Sequence, residues 1–189
     1  MKFSNRPNEL ITSTDGRKFW ISRSPAVTAT IVVCIDSDDL DYVLLNQRGS
    51  ACDDYVGMWS LPCGYLDWDE TGGDAAIREV WEECGLNLKD VAGSVAGGDL
   101  YDVLYSGIIR NEPWSVITDP TRDDRQNIVL HYGAYFIVEK LPKLSNKNSE
   151  PNEVAAVNWI KLTEAIKMDL GFGHQNVIKN FDLEVMSQF

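Results

Sequence analysis

The sequence predicts an α/β (α+β) fold, a single domain built on a mixed β-sheet with helices on both faces. Three observations carry that prediction. Runs dense in β-branched and aromatic residues recur at 26–35, 42–48, 127–138 and 154–162, which is the composition of strands. Helical segments fall between and after these runs, which favours a covered sheet over an all-β barrel. A chain of 189 residues with 44% apolar content and no internal repeat holds one sizeable core.

The elements follow in order. In "ELITSTDGRKFWISRS", Asp15-Gly16 puts turn chemistry between two strand-forming runs, so residues 1–24 read as an N-terminal hairpin extension and 25–189 as the main domain. "AVTATIVVCI" reads as a buried strand, with "YVLLNQR" as its partner across the polar turn "DSDDLD". After "MWSLPCG" a strong helix is expected from near Thr71 to Gly85. Thr71 and Asp74 have capping-box spacing, and Gly85 suits the left-handed position that ends a helix. Further strands are expected at 98–109, 127–138 and 154–162, and helices at 163–169 and about 174–186. "KLPKLSNKNSEPNE" is a polar connector and reads as a surface loop.

Composition limits the function classes. Cys34, Cys52, Cys63 and Cys84 form no CxxC pair and no metal-ligand spacing, and the first residues do not begin a signal peptide, so a reducing cytoplasm is the expected compartment. The longest strongly apolar run, 26–35, is about half of a membrane span, so no membrane partner is expected. A formal charge of −12 repels a phosphate backbone and argues against general nucleic-acid binding. A phosphate-bearing substrate would need cations supplied with it.

The stretch "GYLDWDETGGDAAIREVWEECGL" supplies a place for them. At 100° per residue, Ile77, Val80, Trp81 and Cys84 fall on one helical face and Glu79, Glu82 and Glu83 on the opposite one, a core side and a carboxylate side. Three carboxylates on one face offer hard oxygen donors that suit Mg²⁺ or Mn²⁺ rather than a soft metal. Such ions neutralise pyrophosphate oxygens and lower the pKa of bound water.

Gly64, five residues, Glu70, seven residues, then Arg78-Glu79-Val80-Trp81-Glu82-Glu83-Cys84-Gly85-Leu86 resembles the Nudix hydrolase signature at every specified position. A chance match at one place has a probability on the order of 10⁻⁹ from ordinary residue frequencies, which excludes coincidence. The resemblance implies an α/β/α sandwich and an enzyme that cleaves the pyrophosphate of a nucleoside diphosphate linked to another moiety. It makes Glu79, Glu82 and Glu83 metal ligands or, for one of them, the group orienting water. It adds the backbone carbonyl of Cys63 as a ligand and gives Gly64, Glu70 and Arg78 supporting roles, Arg78 either in an ion pair or on phosphate. Many members also place an acid in the loop before the last strand, here Glu153, with Glu150 second, as a ligand or general base.

"TDPTRDDRQNIVLHYGAYF" resembles the "DPxRDPR" stretch of the ADP-ribose pyrophosphatase-like branch, and "GFGHQNVIKN" is similar to its "AFDH" segment, with Asp124, Gln126 and Gly173 departing from those patterns. Arg122 and Arg125 either bind phosphate or ribose oxygens or pair with Asp119, Asp123 or Asp124. Arg48 is a phosphate-contact candidate or a solvated strand end. Trp68, Trp114 and Tyr65 either stack on a base or pack, and His174 is read as a helix-start or pocket-wall residue. The expected function is Mg²⁺- or Mn²⁺-dependent hydrolysis of ADP-ribose or a related nucleoside diphosphate sugar. The alternatives are a nucleoside triphosphate or GDP-sugar as substrate and, further off, a ligand-sensing domain. The hairpin makes a homodimer one expected assembly and a monomer the other.

Overall fold

The computed structural model describes residues 9–21, 25–35, 40–67, 69–93, 112–118 and 128–184. The strand expected at 98–109, and with it Trp68, Arg122 and Arg125, lies outside the described residues.

Strands β1 (Glu9–Thr12) and β2 (Lys18–Ile21) pair antiparallel as a two-stranded sheet of their own, turning at Asp15-Gly16. Among the described residues the second sheet has seven strands: β3 (Ala26–Ile35), β4 (Leu40–Arg48), β5 (Trp59–Ser60), β6 (Cys63–Tyr65), β7 (Ser115–Ile117), β8 (Val129–Val138) and β9 (Val154–Lys161). Its spine runs β5-β4-β3-β8-β7, with β6 also on β3 and β9 also on β4. β3 and β8 run parallel in unbroken register from Ala26↔Val129 to Ile35↔Val138, while the other pairs are antiparallel, so the sheet is mixed.

Helices α1 (Gly72–Cys84), α2 (Leu88–Gly93), α3 (Leu162–Ala165) and α4 (His174–Glu184) cover it from two sides. The period-two alternation of β3 divides the core accordingly. Val27, Ala29, Ile31 and Val33 pack with Ala76, Val80 and Cys84 of α1, whereas Val32 joins Leu162 and Ala165 of α3 and Ile178 and Phe181 of α4. Each of the valine, isoleucine and phenylalanine side chains among them contributes about 1.5–3 kcal/mol through its withdrawal from water.

α1 begins and ends where its caps dictate. Thr71 accepts from the Asp74 N–H and Asp74 accepts from the Thr71 N–H, completing the capping box; Gly85 closes the helix at φ 65°. The face assignment needs correction. Ala75, Ala76, Val80 and Cys84 are the fully buried apolar residues, while Ile77 and Trp81 are only half-buried. The helix is embedded on more than one side, so its apolar contact comes from small residues that permit close approach to the sheet.

Shorter elements also differ from expectation. α3 spans only Leu162–Ala165 rather than 163–169, and α2, β5, β6 and β7 appear where no element was expected. The connector at 140–153 carries no helix or strand. No helix among the described residues is long and apolar enough to cross a membrane.

Candidate functional site

β6 and the second half of α1 face each other, and their contact defines the site. Gly64 is where they meet: a Cβ built there would fall inside the Glu79 carboxylate. Next to it, the Cys63 N–H donates to Glu83 Oε2 at 3.0 Å. The carboxylate side of the helix is therefore not a solvated face. Glu79 is 8% exposed and Glu83 3%, and only Glu82 reaches partly into solvent.

Arg78 makes that burial tolerable. Its side chain is 4% exposed, and its guanidinium forks across four groups. Nη1 donates to Glu79 Oε1 at 2.6 Å and Glu82 Oε2 at 3.0 Å. Nη2 donates to Glu70 Oε1 and the Tyr65 carbonyl, each at 2.8 Å. Asp67 lies at 4.0 Å. Glu70 also accepts from the Asp67 N–H at 2.7 Å, tying the loop before α1 to the same cation. Burial works against the charge of Arg78, but Glu70 and Glu79 outweigh it and raise its pKa.

One guanidinium does not balance this many acids. Burial pushes Glu79 from the ordinary 4.5 up to about 7, against the opposing pull of Arg78. Burial, then the charge of Glu79, raises Glu83 well above its ordinary value, with the Cys63 N–H opposing. Glu82 is raised mainly by burial. The charge of Glu153 adds to the rise of all three. The Glu153 carbonyl accepts from the Gly49 N–H at 2.7 Å and the Cys52 thiol at 3.3 Å, so the loop is fixed to the end of β4.

Among the described residues no three His, Cys, Asp or Glu side chains are grouped closely enough to hold a metal ion as arranged. The reason is visible in the hydrogen bonds: Arg78 draws Glu79 and Glu82 to one nitrogen, and Cys63 draws Glu83 elsewhere.

Arg48 sits beside this cluster, where its charge opposes the rise of Glu83. It is not a solvated strand end. Nε donates to the Asp54 carbonyl at 2.8 Å, and the guanidinium carbon stands 4.8 Å from the centre of the Phe172 ring. Tyr65 serves Arg78 through its carbonyl, and Trp114 packs against His131 and Phe181. His174 opens α4, is buried, and accepts the Leu61 N–H on Nδ1 at 3.0 Å.

Asp67, Cys52, Tyr55 and Phe172 join this neighbourhood without having been singled out; the signal for Phe172 was its place between Gly171 and Gly173. On the α4 face of the sheet, Thr30 Oγ1, Trp114 Nε1, both ring nitrogens of His131 and Gln175 Oε1 are buried without hydrogen-bond partners among the described residues. Burial lowers His131 to about 4, so its ring is neutral.

A mixed sheet between helices, with a capped, glutamate-bearing helix docked on a glycine-containing strand, defines the Nudix class of α/β/α sandwich. The chain belongs to the Nudix family, whose NUDIX domain model matches residues 25–181. The solved structure of a Nudix hydrolase from M. smegmatis, RenU, superposes with a TM-score of 0.60 at 17% identity over 96% of each chain. The NUDIX domain of Shewanella oneidensis NrtR, complexed with ADP ribose, does so with a TM-score of 0.55 at 18% identity, covering 84% of this chain and 85% of that one. Among curated proteins, the NAD-capped RNA hydrolase NPY1 of Saccharomyces cerevisiae is 26% identical over 90 residues, 48% of this chain and 19% of that protein. The m7GpppN-mRNA hydrolase NUDT17 of Danio rerio is 27% identical over 124 residues, 62% of this chain and 36% of that protein. The matched parts thus span well under half the length of these curated relatives.

Proposed function

We propose that this chain hydrolyses the pyrophosphate bond of a nucleoside diphosphate linked to another moiety, with a divalent cation, Mg²⁺ or Mn²⁺, at the α1 carboxylates. The observation that carries this reading is the burial of Glu79 and Glu83. Glu79 shares its guanidinium with Glu70 and Glu82, and Glu83 accepts from the Cys63 N–H; desolvation still disfavours the charged form of both, and a bound cation relieves that cost. The donor chemistry fits: every candidate ligand is a hard oxygen, from Glu79, Glu82, Glu83 and the Cys63 carbonyl, with Glu153 nearby. When bound, the cation neutralises pyrophosphate oxygens and acidifies water.

The chain's own groups do the positioning. Arg78 holds Glu79 and Glu82 against β6 and ties Glu70 to the same framework, and the Cys63 N–H orients Glu83. Without a cation, burial raises the Glu79 carboxyl to about 7, and a bound cation would hold it ionised. Arg48 carries positive charge to the rim beside Glu83 and is available to a phosphate oxygen if it leaves Phe172. Glu153 is the candidate general base or further ligand.

ADP-ribose or a related sugar nucleotide is the first substrate proposed. The "DPxRDPR"-like stretch supports it, as does ADP ribose in the structure of the NrtR domain. Capped RNA is the second reading, supported by the printed activities of NPY1 and NUDT17. The −12 charge opposes extended RNA contact, which favours the small molecule. A panel of ADP-ribose, GDP-mannose, nucleoside triphosphates and NAD-capped RNA, assayed with Mg²⁺, Mn²⁺ or a chelator, tests this. AMP plus ribose phosphate from ADP-ribose is the expected product pair. Cation-independent turnover, or unchanged hydrolysis across the panel after Glu83→Gln, would overturn the assignment.

A further inference from the structure

Resting on that reading for the meaning of the site, we propose that His174 is a positioning residue for the carboxylate centre, and that Phe172 holds it in place. The short segment Leu61-Pro62-Cys63 joins β5 to the site. It is pinned at one end by the Leu61 N–H on His174 Nδ1 and at the other by the Cys63 N–H on Glu83 Oε2, both at 3.0 Å. Between them the Pro62 carbonyl accepts the Ala29 N–H at 2.9 Å. A residue 113 positions away in the chain therefore fixes the strand whose backbone serves Glu83 and whose Gly64 receives Glu79. The contact requires an unprotonated Nδ1, because an imidazolium has only donors. Burial first, then His131 and Arg48, supplies this by lowering His174 to about 3.

Phe172 is the second observation. Its φ of 61° is the left-handed conformation that bulky residues rarely adopt, and such conformations persist where the surroundings over-determine them. The surroundings do so here. The Phe172 ring meets Tyr55 edge-on at 4.6 Å between centroids, His174 at 5.3 Å and the Arg48 guanidinium at 4.8 Å. Tyr55 itself has φ 55°. The turn Gly171–Gly173 thus spends two unfavourable backbone conformations, its own and that of Tyr55, to seat one ring against the face of His174 and the rim cation.

Three His174 variants and one of Phe172 test this. Asn places Oδ1 where Nδ1 stands and keeps the acceptor; Leu and Ala remove it. Leu61 amide exchange, Mn²⁺ affinity of the substrate-free protein by calorimetry, and kcat and KM on the best panel substrate are the readouts. His174→Leu is expected to lose Leu61 protection, weaken Mn²⁺ binding and lower kcat by about 10–100-fold, as for groups that orient metal ligands, with KM changed less than about threefold. His174→Asn is expected to recover most of all three. Wild-type Mn²⁺ affinity and kcat in His174→Leu, or an Asn variant as impaired as Leu, would overturn the proposal. If His174→Leu does not fold, His174→Ala and Phe172→Gly decide. Phe172→Gly keeps the left-handed turn without the ring, and unchanged Leu61 exchange in it would overturn the role given to Phe172. Should no panel substrate be turned over, the pyrophosphohydrolase reading fails, while exchange and Mn²⁺ affinity still judge the positioning.

Discussion

Glu79→Gln should cost activity and gain stability, and the gain should depend on pH. In the metal-free protein the Glu79 carboxyl titrates near 7, against 4.5 when unperturbed, because burial outweighs Arg78. The sign follows from proton binding. Between those values the folded chain holds a proton that the unfolded chain has released, so stability from this group is fully present below about pH 4.5 and falls until pH 7. That displacement corresponds to about 3 kcal/mol. The neutral amide of Gln escapes it and also relieves Glu83 of a like charge, but it gives up a charge-assisted hydrogen bond from Arg78. A net gain of about 1–3 kcal/mol at pH 8, shrinking towards zero at pH 4.5, is expected in chelator. Urea unfolding at the two pH values measures it, with the transition slope held constant as the check that only stability has changed. A variant less stable than wild type at pH 8, or a gain independent of pH, would refute the account of Glu79 as a desolvated carboxylate short of cations.

Arg78→Met leaves Glu70, Glu79 and Glu82 without their shared partner and should destabilise the fold by about 3–5 kcal/mol at pH 8, read by denaturant unfolding. Gly64→Ala drives a methyl group into the Glu79 carboxylate; the displaced charge-assisted bond costs about 1.5–3 kcal/mol, and turnover should fall at least about tenfold. Thr30→Val replaces a buried hydroxyl without a partner among the described residues by a methyl of the same shape and should raise stability by about 1 kcal/mol in thermal or chemical unfolding, whereas a loss would reveal a partner.

The parts of this molecule visible in the sequence are those specified locally. β3 follows from a run rich in β-branched residues, the hairpin from Asp15-Gly16, and α1 from Thr71, Asp74 and Gly85, whose chemistry fixes both ends within a few residues. Short strands such as β5 and β6, two and three residues long, carry no periodic signal, and they exist because long neighbours template them. The parallel pairing of β3 with β8 joins segments about a hundred residues apart, which no local pattern encodes. The burial of Glu79 and Glu83 is not legible in the helix alone. Projecting charges outward is sound for an isolated helix, but here Arg78 and the Cys63 N–H supply partners that make an inward face tolerable. Likewise His174 read as a helix start, which it is, while its bond to Leu61 belongs to the tertiary fold.

Hydrolysis of ADP-ribose in ¹⁸O-labelled water with Mg²⁺, followed by mass spectrometry of the products, tests the central claim most directly. Water attack on phosphorus places one ¹⁸O in AMP or in ribose phosphate, and both the turnover and the label should vanish with chelator or with Glu83→Gln. Label-free products, or labelled products formed at the same rate without a divalent cation, would contradict the account of α1 as a cation-dependent pyrophosphate site.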